Sequence, residues 1–499
     1  MELIRQTERY LSAAVSRTIL QEQTGEAIVP DSSPDVERIL GASGQVLLRS
    51  KECRAGSVSL SGGVRVTVLY VPEGEHLPRA LELYLPFTAR LDDPALEPED
   101  QVITEGLVRA ADARPINSRK VLVRVNLALR VRACRSAEEE IVCGVPEAEG
   151  LQARKTVLPL TVPVCAGEKA FSVTDEAELP AGRTAAQVYQ WYAWPELTEA
   201  RVVGERGVFR GNVNVRALYR SGEDQVEAWY FSAPFSQFAD LPGAQEGEEL
   251  AVTLAMTGAE LELGAAPGNR LLYSFGLTAQ CVASARKTVT LIEDLYSTRG
   301  PLELQCRALT MENRLDRQLQ LQTARQSVPA DAARVLDAQV LLDEPQIDRD
   351  GDMITVTVPA VVSLVYQDAA GGLQGAAKQT QVKQTLRLAQ DCTCRASACL
   401  SGETVTAAGP EGMEARFGVL FELLSYSAQA PEGVWSAEQA EDGEPEPRPS
   451  VIVRALEEDE TLWDVAKACR TTVKAIQEAN GLTGEDAPAG RLLLIPRAG

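Results

Sequence analysis

The chain has 499 residues, with 49 Lys and Arg against 71 Asp and Glu, a net charge of −22, and 45% apolar residues. This acidity excludes a general phosphate-backbone binder, so no nucleic-acid partner is expected. The apolar fraction excludes a disordered chain, and at about 150 residues per domain the length suggests three or four domains. No uncharged run exceeds 15 residues (Met353–Gln367 and Leu271–Ala285). A membrane helix needs about 20 apolar residues, so no span is expected. The start, MELIRQTERYLSAAVSRTILQEQTGE, shows no apolar h-region of an export signal.

In chain order, residues 1–27 come first as an N-terminal segment. Leu3, Ile4, Leu11, Val15 and Ile19 lie near helical spacing, which predicts an amphipathic helix over 2–22. It serves either to pack on the first domain or to dock a partner. A long internal repeat then begins. Pro30 opens PDSSPDVERIL, Pro180 opens PAGRTAAQVYQ and Pro329 opens PADAARVLDAQ, at spacings of 150 and 149 residues. Later in each copy a strand ends in tyrosine: GGVRVTVLY at Tyr70, RGNVNVRALY at Tyr219 and VPAVVSLVY at Tyr366. A second alternating strand closes each copy: NSRKVLVRVNLALRV, GNRLLYSFGLTAQC and GMEARFGVLFELLSY. Three landmarks holding one period define three domain-sized copies, assigned to 28–160, 161–308 and 327–430. A helical connecting segment is predicted at 309–326.

Period-two alternation makes the copies β-rich. Val121, Val123, Val125, Leu127, Leu129 and Val131 share one face of a strand, with Arg124, Asn126, Arg130 and Arg132 on the other. Ile354, Val356, Val358, Val362, Leu364 and Tyr366 share a face in the third copy. A one-residue slip would expose the whole set, so the pattern fixes the register. The fold class is mainly β: three tandem sandwich-like domains and a small α/β module. Residues 431–449 hold six acidic residues and four prolines, the composition of an acidic Pro-rich linker.

The last module, 450–499, reads strand–helix–helix–strand. SVIVRAL and GRLLLIP are its strands. Thr461 and Asp464 form a capping box before the first helix, Thr471 and Thr472 cap the second, and Asn480-Gly481 stops it. Leu462, Val465, Ala466 and Cys469 make one buried stripe. Trp463 lies off that stripe, either as an exposed partner anchor or as a cover for the sheet edge.

Catalytic candidates are few. His76, the sole histidine, sits in the turn VPEGEHLPRA and reads as a solvated loop residue. Cys392, Cys394 and Cys399 in CTCRASAC offer three thiols and no clear fourth zinc ligand, so they read as small residues of a strand and turn. No phosphate-binding G-x-x-x-x-G-K-[ST] loop occurs. No catalytic residue, metal site or cofactor is assigned, and the expectation is a non-enzyme.

TLWDVAK (461–467), TTVKAIQEANGL (471–482) and GRLLLIP (490–496) resemble the LysM domain. That resemblance implies a βααβ fold and a shallow groove for N-acetylglucosamine chains such as peptidoglycan. Carried over, the groove comprises Asp459, Glu460, Thr461 and Leu462 facing Asn480, Gly481, Leu482 and Thr483. The family usually has Gly-Asp where this chain has Asp459-Glu460, which removes a conformationally permissive residue. VPDSSPDVERIL (29–40), APFSQFADL (233–241) and LIEDLYSTRG (291–300) resemble the SPOCS domain. Successive SPOCS copies followed by LysM resemble the architecture of SipL-type clostridial spore coat morphogenetic proteins. The resemblance implies a scaffold in the mother-cell cytoplasm at the forespore surface. Its LysM module would bind stage IV sporulation protein A, the coat's basement-layer ATPase, and its partners would include other coat proteins. The alternatives are a peptidoglycan-binding wall protein and a LysM-targeted hydrolase.

Overall fold

The computed structural model describes residues 2–265, 268–409, 412–439, 449–484 and 488–496. Among these residues it contains twenty-three strands and two helices. Copy one runs β1 (Ile4–Ile28), β2 (Val36–Arg54), β3 (Ser57–Pro72), β4 (Arg79–Asp92), β5 (Gln101–Asn117) and β6 (Lys120–Gly144). They form two three-stranded antiparallel sheets, β1-β6-β5 and β2-β3-β4. Copy two repeats the plan with β7 (Leu151–Glu178), β8 (Ala185–Val203), β9 (Arg206–Ser221), β10 (Val226–Asp240), β11 (Glu249–Leu263) and β12 (Arg270–Ser297). Its sheets are β11-β12-β7 and β10-β9-β8. After β13 (Leu302–Ala308), copy three comprises β14 (Arg314–Val328), β15 (Arg334–Leu342), β16 (Gln346–Asp350), β17 (Met353–Gln367), β18 (Leu373–Arg387), β19 (Cys392–Gly409) and β20 (Gly412–Ser427). Its sheets are β14-β20-β19 and β15-β17 with β16 and β18 also on β17. β21 (Glu432–Gln439) then pairs with β13.

Each sandwich buries the predicted alternating faces against one another. Val121 to Val131 at odd positions meet Val58, Leu60, Val64, Val66, Val68 and Tyr70 in one cluster. Val356, Val358 and Val362 pack with Phe417, Val419 and Phe421 in copy three. Full burial of such a side chain is worth about 1.5–3 kcal/mol, so these faces dominate the fold.

Two expected helices are strands. Residues 4–22 of the expected helix lie in β1, which pairs with β6 from Ile4↔Gly144 to Ile28↔Lys120. Leu11, Val15 and Ile19 are spaced by four, which satisfies a helix and a strand equally; pairing along the whole of β6 decides for the strand. Residues 314–326 of the expected connecting helix lie in β14, paired with β20. Leu, Gln and Arg favour helices intrinsically, but here tertiary pairing overrides propensity. The expected seam at 160 falls inside β7, and the first strand of each copy therefore precedes its proline landmark. Residues 432–439 of the expected linker are strand β21; 440–448 lie outside the described residues.

The copies close into a ring. Leu69, Leu218 and Val365, one from each copy, meet with Leu40, Tyr189 and Leu336 in a single buried cluster, at spacings that keep the repeat period. Each seam is head-to-tail, the arrangement that makes a ring when the rotation closes. Between copies one and two, Arg65 Nη2 donates to the Trp191 carbonyl at 2.8 Å and its guanidinium lies 3.4 Å over the Trp191 ring. Burial pulls the Arg65 pKa down to about 10, with Glu82 opposing the shift. Between two and three, Arg216 pairs with the buried Asp337 at 3.2 Å, and Tyr192 donates to the Ala338 carbonyl at 2.8 Å. Between three and one, Arg109 grips Asp343 and Arg130 donates to Glu344 at 2.8 Å. Asp343, Glu344 and Pro345 interrupt the strand that β15 and β16 would form, where copies one and two have only a bulge. The enlarged interruption supplies both acids of the closing seam. A Cβ on Gly375 would collide with the Leu40 carbonyl, so that seam also requires glycine.

The outer halves of β1 with β6 and of β7 with β12 extend beyond the sandwiches as ribbons. Tyr10, Ile141, Leu160, Val289 and Leu309 bind them together, and Val142, Leu295 and Val434 add the β13–β21 pair. This second layer carries the C-terminal module.

Candidate functional site: the C-terminal module and its seat

The module consists of β22 (Val451–Ala455), α1 (Leu462–Cys469), α2 (Val473–Asn480) and β23 (Leu492–Pro496). β22 and β23 pair antiparallel, and Leu462, Val465, Ala466, Ile476, Leu493 and Ile495 form the core. The capping box is complete: Thr461 accepts from Asp464 N at 3.3 Å and its own N–H donates to Asp464 Oδ2 at 2.9 Å. These bonds hold the Asp464 carboxyl below its ordinary pKa, the Thr461 hydroxyl contributing most. Thr472 caps α2, while Thr471 is buried and donates to the Pro496 carbonyl at 2.6 Å. Gly481 ends α2 in the left-handed conformation at φ +62°.

The structure shows what each expected groove residue does. Asp459 adopts φ +71°, so it takes up the left-handed geometry that a glycine would supply. Asp is among the few non-glycine residues that tolerate this region. Glu460 accepts two 2.8 Å bonds from Arg454 Nη2 and a third, at 3.3 Å, from the Glu457 N–H. Asn480 donates to the Ile476 and Leu494 carbonyls and accepts from Leu494 N at 2.8 Å, tying α2 to β23. Leu462 is core, and Leu482 is half-buried against it. Thr461, Gly481 and Thr483 are exposed.

Trp463 does not stand free. Its Nε1 donates to Asp294 Oδ2 at 2.7 Å, and its ring meets Tyr296 edge-on at 4.9 Å between centroids. Lys467 Nζ donates to both oxygens of Asp294, at 2.6 and 2.8 Å. Tyr296 donates to the Thr471 carbonyl at 2.9 Å and enters the module's core cluster. The end of β12 is thus a seat for α1. Burial pushes the Asp294 carboxyl up, but the Lys467 and Trp463 bonds prevail and its pKa lies below the ordinary value. Burial, reinforced by Asp294, raises the Tyr296 phenol to about 12. Among the described residues no hydrogen bond or ion pair to copy two comes from 459–462 or 480–483, so the seat leaves both groove loops unengaged.

Sequence reasoning did not find the seat, although Asp294 and Tyr296 lie within LIEDLYSTRG. An acid and an aromatic two positions apart on one strand face, and a Trp463 with no settled role, were the available signal. Elsewhere, His76 is exposed in the β3–β4 connection. Cys392 and Cys394 face the core side of β19 and Cys399 the other, so the three thiols do not converge.

The profile described as "SipL, SPOCS domain" matches residues 184–263, which are β8 to β11 of copy two. The profile described as "LysM domain" matches residues 457–496. The chain carries a SPOCS domain of the SipL type and a C-terminal LysM domain. Neither the curated proteins nor the solved structures give a match. SPOCS and LysM are non-catalytic domain families, and together they fit a sporulation coat protein bearing a module of the peptidoglycan-binding type. No helix among the described residues is long and apolar enough to cross a membrane.

Proposed function

We propose that this protein is a non-enzymatic scaffold of spore coat assembly. Its LysM domain links the coat to the basement-layer ATPase, stage IV sporulation protein A, on the mother-cell side of the forespore surface. The observation that carries this reading is the LysM groove. Glu460 and Asn480 spend their polar groups inside the module, and Glu457, Glu458 and Asp459 place carboxylates beside it. A groove so occupied offers few free polar groups to acetamides, whereas its acidic rim and exposed Thr461, Gly481 and Thr483 suit a protein surface. The rigid seat on Asp294 supports the scaffold role, because a fixed module transmits position from the ring to a partner.

The second reading is a peptidoglycan-binding protein, favoured by the exposure of Thr461, Gly481 and Thr483 at the positions where the family's glycan groove lies. The test is capture of the purified ATPase, and separately of peptidoglycan sacculi, by the full chain and by a chain ending at 449. The scaffold reading expects ATPase capture that disappears with the truncation and no retention on sacculi. Retention on sacculi without ATPase capture would replace it with the second reading.

A further inference from the structure

The three copies together line a partly open cavity of about 760 Å³. That volume suits a small organic ligand. The pairing registers identify equivalent wall positions. Arg130, Gln280 and Glu422 lie opposite Glu105, Thr253 and Ser397, and the next layer is Arg132, Val282 and Leu424. At these equivalent positions the three copies differ in charge.

The wall's carboxylates are all engaged. Arg130 takes Glu105 and Glu344, Arg317 takes Glu422, and Arg395 takes Glu312. Arg132 makes no ion pair among the described residues, and its Nε is buried with no partner. In its own layer the other copies offer Val282 and Leu424. The neutral Cys134 thiol beside it accepts a hydrogen bond from the guanidinium but carries no charge to pair with it. A half-buried guanidinium with no carboxylate paired to it is a group that a bound anion can complete. Buried polar groups left unpaired call for an explanation of their own. The same wall presents the hydroxyl-bearing residues Ser16, Thr18 and Thr253.

We propose that this cavity is a binding site for a small organic molecule bearing an oxyanion, a carboxylate or a phosphate group, with Arg132 as its principal anchor. The planar guanidinium fork matches both groups through paired N–H donors. The ligand supplies the missing counter-charge, and the hydroxyls hold its remaining oxygens. This site is separate from the LysM groove and independent of the proposed function.

The test is calorimetric titration of the full chain with citrate and with orthophosphate, at ionic strength matched with sodium chloride. Wild type is expected to bind at least one probe at a single site; citrate alone indicates a carboxylate ligand and orthophosphate alone a phosphate ligand. Arg132→Met is expected to weaken binding about tenfold or more while unfolding no earlier than wild type, because it removes an unpaired charge. Thr253→Asp, which adds a carboxylate to the copy-two wall, is expected to give the same loss and decides the matter if Arg132→Met does not fold. Absence of binding by wild type at millimolar probe, or undiminished binding by the variants, overturns the site.

Discussion

Replacing Asp294 with alanine removes the acceptor shared by Trp463 and Lys467. The Trp463 bond to a carboxylate contributes about 1.5–3 kcal/mol. Lys467 is 43% exposed, so its ion pair is screened and adds about 1 kcal/mol at most. Together they shift the docking equilibrium of the LysM domain by about 3 kcal/mol, roughly a hundredfold. Asp294→Asn keeps an acceptor for the indole and is expected to lose less. Fluorine NMR of the chain labelled with 5-fluorotryptophan reads this directly, with Trp463→Phe assigning the resonance. In D294A the Trp463 signal is expected to move to the position of a free indole and to broaden with a soluble paramagnetic chelate. Acid acts in the same direction. The docked pKa of Asp294 is depressed, so its contribution is complete above the ordinary carboxylate pKa and fades as pH falls through that value toward the docked one. An unchanged Trp463 signal in D294A refutes the seat.

Three further outcomes follow from the packing. Deleting residues 2–28 removes β1, including buried Tyr10, Leu11 and Val15, and uncovers β6. At about 1.5–3 kcal/mol per side chain, the loss rivals the whole stability of a domain, and the truncated chain should be recovered insoluble; a well-folded product would mean the segment is an appendage. Asp337→Ala leaves Arg216 with only the more exposed Glu403 and should destabilise by about 2–3 kcal/mol in urea titration; a change below about 1 kcal/mol would show that the seam between copies two and three is not closed. Asp459→Gly relieves a left-handed backbone strain and should raise LysM stability by up to about 1 kcal/mol; destabilisation would show that the Asp459 side chain matters more than its φ.

The repeat and the main sandwich strands were legible because β6 and β17 bury one face against a core and leave the other polar, so alternation survives in the residues. The LysM fold was legible because caps and stops at Thr461, Thr472 and Gly481 are local. β1 and β14 were not. Leu11, Val15 and Ile19 fit both periods, and Leu319 and Leu321 are exposed on β14, so neither strand shows its register without its partner. Closure of the ring was also hidden, because Leu69, Leu218 and Val365 look like ordinary strand residues until three copies bring them together. The groove positions are proposed from local resemblance alone, and the commitment of Glu460 to Arg454 and of Trp463 to Asp294 depends on contacts between elements.

Small-angle X-ray scattering of the monomeric chain tests the closed ring most directly. A compact body of this length has a radius of gyration of about 23 Å. The structure predicts a value close to that figure and a single-peaked distance distribution. A radius well above roughly 30 Å, as for three sandwiches strung along a flexible chain, would contradict it.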